Sequence, residues 1–169
     1  RFSNVVNVIP TSLIDIIFTS PDLTICEGTD TIMYVTTNFE GTTYAWQIDA
    51  GAGFQNITTP NPSISGTTND TLNINNAPFS GMDLDFRLIA SDACGTSDTS
   101  SIITLTVNPI SNTTVNDTIC SNEMYTLPSG SMTGTAGTYS DTLNNSNGCD
   151  SIITTNLVVN PISNSTVND

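Results

Sequence analysis

The sequence holds no histidine and no lysine, and its only cations are Arg1 and Arg87. Those absences remove the usual general bases, Schiff-base amines and Ser–His pairs, so no enzymatic activity is expected. Two carboxylates alone can hydrolyse a glycoside. The nearest pair, Asp83 and Asp85, stands two residues apart on one strand face, where a solvated strand start is the simpler reading. Against the two arginines stand 16 Asp and Glu, for a formal net charge of −14. Nucleic acid and anionic membrane surfaces both call for a basic face, and neither is an expected partner. No window keeps the helical period over three turns, and none is long and apolar enough to span a bilayer.

What is present is β-forming. Charged residues make up only 11% of the chain, so Thr, Ser and Asn supply most of its polar surface, and the 37% apolar residues fall in short alternating runs. Thr, Val and Ile suit a pleated surface, while Asn, Asp, Gly and Pro suit turns. An all-β chain follows.

The chain also repeats itself. "SIITLTVNPISNTTVND" (101–117) returns as "SIITTNLVVNPISNSTVND" (151–169), and "VVNVIP" (5–10) resembles the proline-closed part of both. If each phrase is the last strand of a module plus the link to the next, the chain divides into four parts. Residues 1–10 close a preceding module, 11–108 form a first complete one, 109–160 a second and smaller one, and 161–169 begin a third. On that reading the chain is a piece of a tandem array. With a strand-like run at residue 1, no signal peptide is expected.

Four cysteines, Cys26, Cys94, Cys120 and Cys149, lie too far apart for a zinc ribbon, and no His completes one. Disulfides and an oxidising compartment are expected instead. Each complete module begins with "TIC" and carries its other cysteine just before the final strand, in "DACGTSD" and "SNGCDS". Of the three possible pairings, the repeat supports Cys26–Cys94 and Cys120–Cys149, each worth about 3–4 kcal/mol on the loop-entropy account.

The larger module reads as strands near 12–18, 31–37, 43–49, 71–75, 84–91 and 100–107, with shorter ribbons around 54–57 and 63–65. That pattern suggests a two-sheet sandwich. Its Trp46 falls on the third strand, where an immunoglobulin-type fold places its core tryptophan. "GMDLDFRL" (81–88) resembles the tyrosine-corner segment, with Phe86 in the Tyr position, Leu88 at the second-cysteine site and Met33 near the first. The smaller module has room for strands near 113–119, 123–127, 131–134, 137–143 and 151–159, as a compact sandwich or curled sheet, with an Asn147-Gly148 hairpin turn before the last.

"LTICEGTD", "YAWQ", "DFRLIASDACG" and "LTVNP" together resemble the immunoglobulin-like modules of giant surface proteins from Bacteroidota. "DTICSNEMYTLPSG" and "AGTYSDTLNNSNGCDSIITTNLVVNP" resemble the short repeat of the same proteins. Such proteins include type IX secretion substrates, among them the SprB-like mobile adhesins of gliding motility. The resemblance implies an extracellular, bacterial cell-surface location and display as a filament. The partners it implies are neighbouring repeats of the same chain, surface glycans, and the secretion and motility machinery.

One short pattern recurs five times: Asp30-Thr31-Ile32, Asp70-Thr71-Leu72, Asp117-Thr118-Ile119, Asp141-Thr142-Leu143 and Asp150-Ser151-Ile152. Structurally, Asp can end a turn, Thr or Ser start a strand and the apolar residue enter the core. The resemblance adds O-glycosylation of Thr31, Thr71, Thr118, Thr142 and Ser151. The sequons at Asn56 and Asn112 carry little weight in so Asn- and Thr-rich a chain. For hard cations, Asp83, Asp85, Asp92 and Asp98 could gather at the sandwich ends, as could Asn147 and Asp150, yet no stretch matches an EF-hand. No cofactor and no metal site are expected. The expected role is a structural stalk segment of a long secreted adhesin. The alternatives are a carbohydrate- or protein-binding sandwich, with Tyr125 and Phe79 as its loop aromatics, and a calcium-rigidified linker.

Overall fold

The computed structural model describes residues 14–38, 43–58, 62–78 and 81–162; Phe79 and the segments 1–13 and 163–169 lie outside them. Every regular element among the described residues is a β-strand. The chain forms two compact units that meet between Val107 and Asn108.

The first unit contains β1 (Ile16–Thr19), β2 (Leu23–Cys26), β3 (Thr31–Thr37), β4 (Thr43–Asp49), β5 (Gln55–Asn56), β6 (Ile64–Ser65), β7 (Thr71–Ile74), β8 (Met82–Ser91), β9 (Ser97–Thr99) and β10 (Ile103–Asn108). One sheet runs β1-β3-β7-β6. The other runs β2-β10-β8-β4-β5, with β9 paired to β8. In immunoglobulin terms these are A-B-E-D and G-F-C-C′, with β2 an additional strand beside G. The unit is therefore an immunoglobulin-like β-sandwich.

Its core follows from period-2 alternation. On β8, Leu84, Phe86, Leu88 and Ala90 are buried and their neighbours are not; on β10 the same holds for Ile103, Leu105 and Val107. These close on Met33, Val35, Leu72 and Ile74 of the opposite sheet, around Trp46. Trp46 sits directly across from Leu88 in the β4–β8 ladder, and its indole N–H donates to the Asn69 carbonyl at 2.9 Å. Met33 and Leu88, both fully buried, occupy the two positions expected for an apolar pair in place of the inter-sheet bridge. Strand β1 starts at Ile16 and carries a bulge between Ile16 and Phe18; residues 12 and 13 of the expected 12–18 lie outside the described residues. The sequence reading did not separate β2 and β9 as strands.

The second unit contains β11 (Ser111–Cys120), β12 (Tyr125–Thr126), β13 (Met132–Thr133), β14 (Gly137–Asn144) and β15 (Asp150–Asn160). Strand β15 is central, with β14 antiparallel on one side and β11 parallel on the other, from Ser111 opposite Ser151 to Cys120 opposite Asn160. The unit is thus a three-stranded mixed sheet with a two-stranded ribbon, β12–β13, rather than a second sandwich. The Tyr139 hydroxyl ties the ribbon region down, donating to the Thr135 carbonyl at 2.7 Å and meeting the Thr133 hydroxyl at 2.9 Å. Burial is confined to Leu127, Cys149, Thr155 and Leu157 among the described residues of this unit, a small core for an independent domain.

Ser111–Asp117, the polar part of the repeated phrase, is strand and not link. The phrase therefore consists of a closing strand, a proline and an opening strand.

Gly66 shows how tightly one turn of the sandwich is drawn. Its φ is +81°, and a Cβ there would run into the Thr71 carbonyl oxygen, whereas Gly51, at φ +95°, faces open space. Gly51→Ala is expected to cost about 1 kcal/mol for its left-handed backbone alone, and Gly66→Ala at least about twice that. Urea midpoints of the two variants check the ordering.

Candidate functional site

The cysteines overturn the within-module pairing. Cys26 and Cys149 are disulfide-bonded, while Cys94 and Cys120 are exposed free thiols. Neither Cys26–Cys94 nor Cys120–Cys149 forms, and strand geometry gives the reason. The turn after Cys26 is stitched to Ala77, where Gly28 donates to the Ala77 carbonyl and Ala77 to that of Thr29. That is the end of the sandwich where β8 begins. Cys94 lies in the turn beyond Ser91, where β8 finishes. Ten strand residues cover about 30 Å, and a disulfide needs Cα atoms within about 7 Å.

The same separation holds in the second unit. Cys120 closes β11 opposite Asn160, while Cys149 immediately precedes Asp150 at the other end of β15. Asn145 fixes that far end: its Oδ1 accepts from Asn147 and Cys149, and its Nδ2 donates to the Pro109 carbonyl. Because β11 and β15 are parallel, their opposite termini stay about 30 Å apart. The oxidised cysteines fit an extracellular or cell-surface setting.

The five Asp-Thr/Ser-apolar triplets separate into two groups. Thr31 and Thr71 open β3 and β7, and Asp150-Ser151 opens β15, all half-buried or less accessible at Thr31, Thr71 and Ser151. Turn-then-strand grammar accounts for those three. Thr118 lies eight residues into β11 and Thr142 six into β14, both exposed. Their Asp does not end a turn, so the structural account leaves these two triplets unexplained.

Of the acidic residues raised for a cation, Asp85, Asp92 and Asp98 accept from backbone amides or hydroxyl groups. Asp98 Oδ2 accepts from the Ile16 amide and Asp85 Oδ1 from the Thr104 hydroxyl, both at about hydrogen-bond distance (2.9 and 2.8 Å). Among the described residues, no three His, Cys, Asp or Glu side chains gather as a metal site. Tyr125 is half-buried on β12. Sequence reasoning missed a different aromatic feature: Phe18 and Tyr34 stack at 5.5 Å on the outer face of the first sheet. They sit there beside exposed Ile32. The signal was available, since Ile32 and Tyr34 occupy the outward phase of β3, where polar residues are usual.

Asp92 organises the β8–β9 turn. Its Oδ1 accepts the Cys94 and Thr96 amides, and its Oδ2 accepts the Thr96 hydroxyl. The Thr96 hydroxyl holds its carboxyl below the ordinary 3.8; desolvation, the next largest influence, opposes it, and the backbone amides of Thr96, Cys94 and Gly95 add to the lowering.

No family model matches the chain, and no curated protein matches it. Among solved structures it is similar to the tandem Ig repeats of Dlar, at 18% identity and TM-score 0.47, over 57% of this chain and 48% of that one. It is also similar to the titin M3 domain, at 17% identity and TM-score 0.44, over 56% and 96%. The N-terminal Ig1-2 module of the Drosophila receptor protein tyrosine phosphatase DLAR matches at 14% identity and TM-score 0.46, over 88% and 99%. The chain spans about half the length of the first of these. Strand order is what defines the first unit as an immunoglobulin-like β-sandwich.

A carboxylate with a depressed folded-state pKa stabilises its turn above the unfolded value, and that contribution is lost as pH falls through the folded one. Amide-exchange protection at Cys94 and Thr96 is therefore expected to hold down to about pH 3.8 and to fall below it. Asp92→Asn should remove the pH dependence, which NMR-detected exchange would show.

Proposed function

We propose that this chain is a stalk segment of a long, secreted bacterial surface adhesin, of the kind that Bacteroidota export by the type IX system, including gliding motility adhesins. Its role is mechanical: it sets distance between a cell and whatever a distal domain grips. Neighbouring repeats of the same chain are its partners. The observation that carries the reading is the parallel register of β11 and β15. A unit whose first and last strands run the same way takes the chain in at one end and releases it at the other, so every added copy adds length. An antiparallel pair would return the chain to its starting end. The repeated phrase supports the same reading, as closing strand, proline and opening strand follow one another at the first junction, and the sequence of the phrase returns at 151–169. A formal charge of −14 keeps adjacent filaments apart.

Chains carrying one, two and three copies of residues 109–160 should lengthen by roughly 30 Å per copy, measured as the maximum dimension in small-angle scattering. Constant length with increasing thickness would overturn the stalk.

Glycosylation of the stalk is a second reading, favoured by Thr118 and Thr142. Both are exposed inside strands, in triplets that turn chemistry does not account for. Hydroxyl-linked glycans there would cover sheet edges. Intact mass of protein from its native source should exceed the polypeptide, with the excess on peptides containing these two residues; a bare mass refutes it.

A further inference from the structure

Cys120 and Cys26 occupy the same structural position in their two units. Each ends a "TIC" and closes a strand lying beside the last strand of its own unit, β2 beside β10 and β11 beside β15. The carbonyl of each accepts the amide three residues on, Thr29 to Cys26 at 3.2 Å and Glu123 to Cys120 at 2.9 Å. One of the two is disulfide-bonded and the other is an exposed thiol. The other bonded cysteine, Cys149, belongs to the second kind in the repeat, the one that immediately precedes a closing strand. The two oxidised residues are thus one of each kind, and neither is joined to the other cysteine of its own module.

We propose that Cys120 is half of a disulfide whose other half is a cysteine of the Cys149 kind in another copy of the 109–160 repeat. The inference rests on the stalk reading, because it needs a further repeat in series. Geometry excludes the nearer candidate of that kind, since Cys149 itself lies at the opposite end of the parallel β11–β15 pair. Cys120 stands where the chain leaves the unit: the Ser121 amide donates to the Asn160 carbonyl at 2.9 Å, and Ile162 approaches the Ser121 hydroxyl at 3.4 Å. Beyond Asn160 the sequence resumes "PISNSTVND", the opening of β11 over again. A repeat built on that sequence would present its own Cys149 counterpart beside its own start, as Asn145 holds Cys149 near Pro109 here. The bond forms as two thiols lose two protons and two electrons to an oxidant such as glutathione disulfide, which leaves as two glutathione thiols.

The test lengthens the chain by joining a second copy of residues 109–160 after Asn160 and folding it in a glutathione redox buffer. Digestion without reduction should yield a peptide linking Cys120 to the added counterpart of Cys149, with Cys94 still open to alkylation. In the same lengthened chain, Cys120→Ser should expose one more free thiol, on that counterpart. The inference is overturned if Cys120 is alkylated, if it is linked to Cys94, or if the added repeat's two cysteines bond to each other. Oxidised Cys26 and Cys149 in the same digest report that the lengthened chain has folded. Length per copy is measured separately, so a free Cys120 with undiminished length would refute the linkage and leave the stalk standing.

Discussion

The parallel pairing of β11 with β15 over ten residue pairs is the constraint on which the second unit depends. Parallel neighbours cannot be joined by a tight turn and need a crossover of a dozen or more residues. Here the crossover runs from Ser121 to Cys149 and contains the β12–β13 ribbon and β14. Each of those elements is held locally. Tyr139 fastens the ribbon region, and Asn145 closes the final turn while holding the chain at Pro109. The few buried side chains then suffice because the sheet is narrow and its central strand, β15, is paired on both sides. An unpaired β15 would lose both ladders together.

The sandwich solves the same problem with more material. Where antibody domains join their two sheets through a disulfide packed on tryptophan, this unit keeps the tryptophan and substitutes Met33 and Leu88. Apolar contact then carries the inter-sheet cohesion. The sulfur chemistry is freed for strand ends, where Cys26 is bonded and Cys94 is not. The indole still needs a polar partner once buried, and Asn69, just before β7, supplies its carbonyl.

Much of this was legible where one periodicity met one buried face. β3 and β4 fall on the expected 31–37 and 43–49, because both are runs of β-forming residues bounded by turn residues, and burial alternates along β3. The same signal did not separate β2 or β9, which span four and three residues, no more than two full alternations. Strand direction was invisible for a deeper reason. A period of two is identical whichever way a neighbour runs, so nothing in Ser111–Cys120 announces a parallel partner. The cysteine pairing failed on that point. Repetition shows which cysteines are equivalent, but choosing partners requires knowing which strand ends meet. The Asp-Thr/Ser-apolar triplets were likewise readable as a pattern but not as two groups, since only the strand boundaries separate Thr118 and Thr142 from the rest.

Direction also bears on how such a unit would meet tension along the chain. Pulling Ser111 one way and Asn160 the other slides two parallel strands past each other, so the hydrogen bonds of the ladder are strained together. Pulling apart the β14–β15 hairpin from its open end would strain them one after another. Simultaneous loading distributes a force over the whole register, and resistance then scales with the number of pairs. Ten pairs is long for a unit with so small a core. That length follows from the strand needing to traverse the full unit, and it gives the ladder a share of the cohesion that a larger domain would place in its interior.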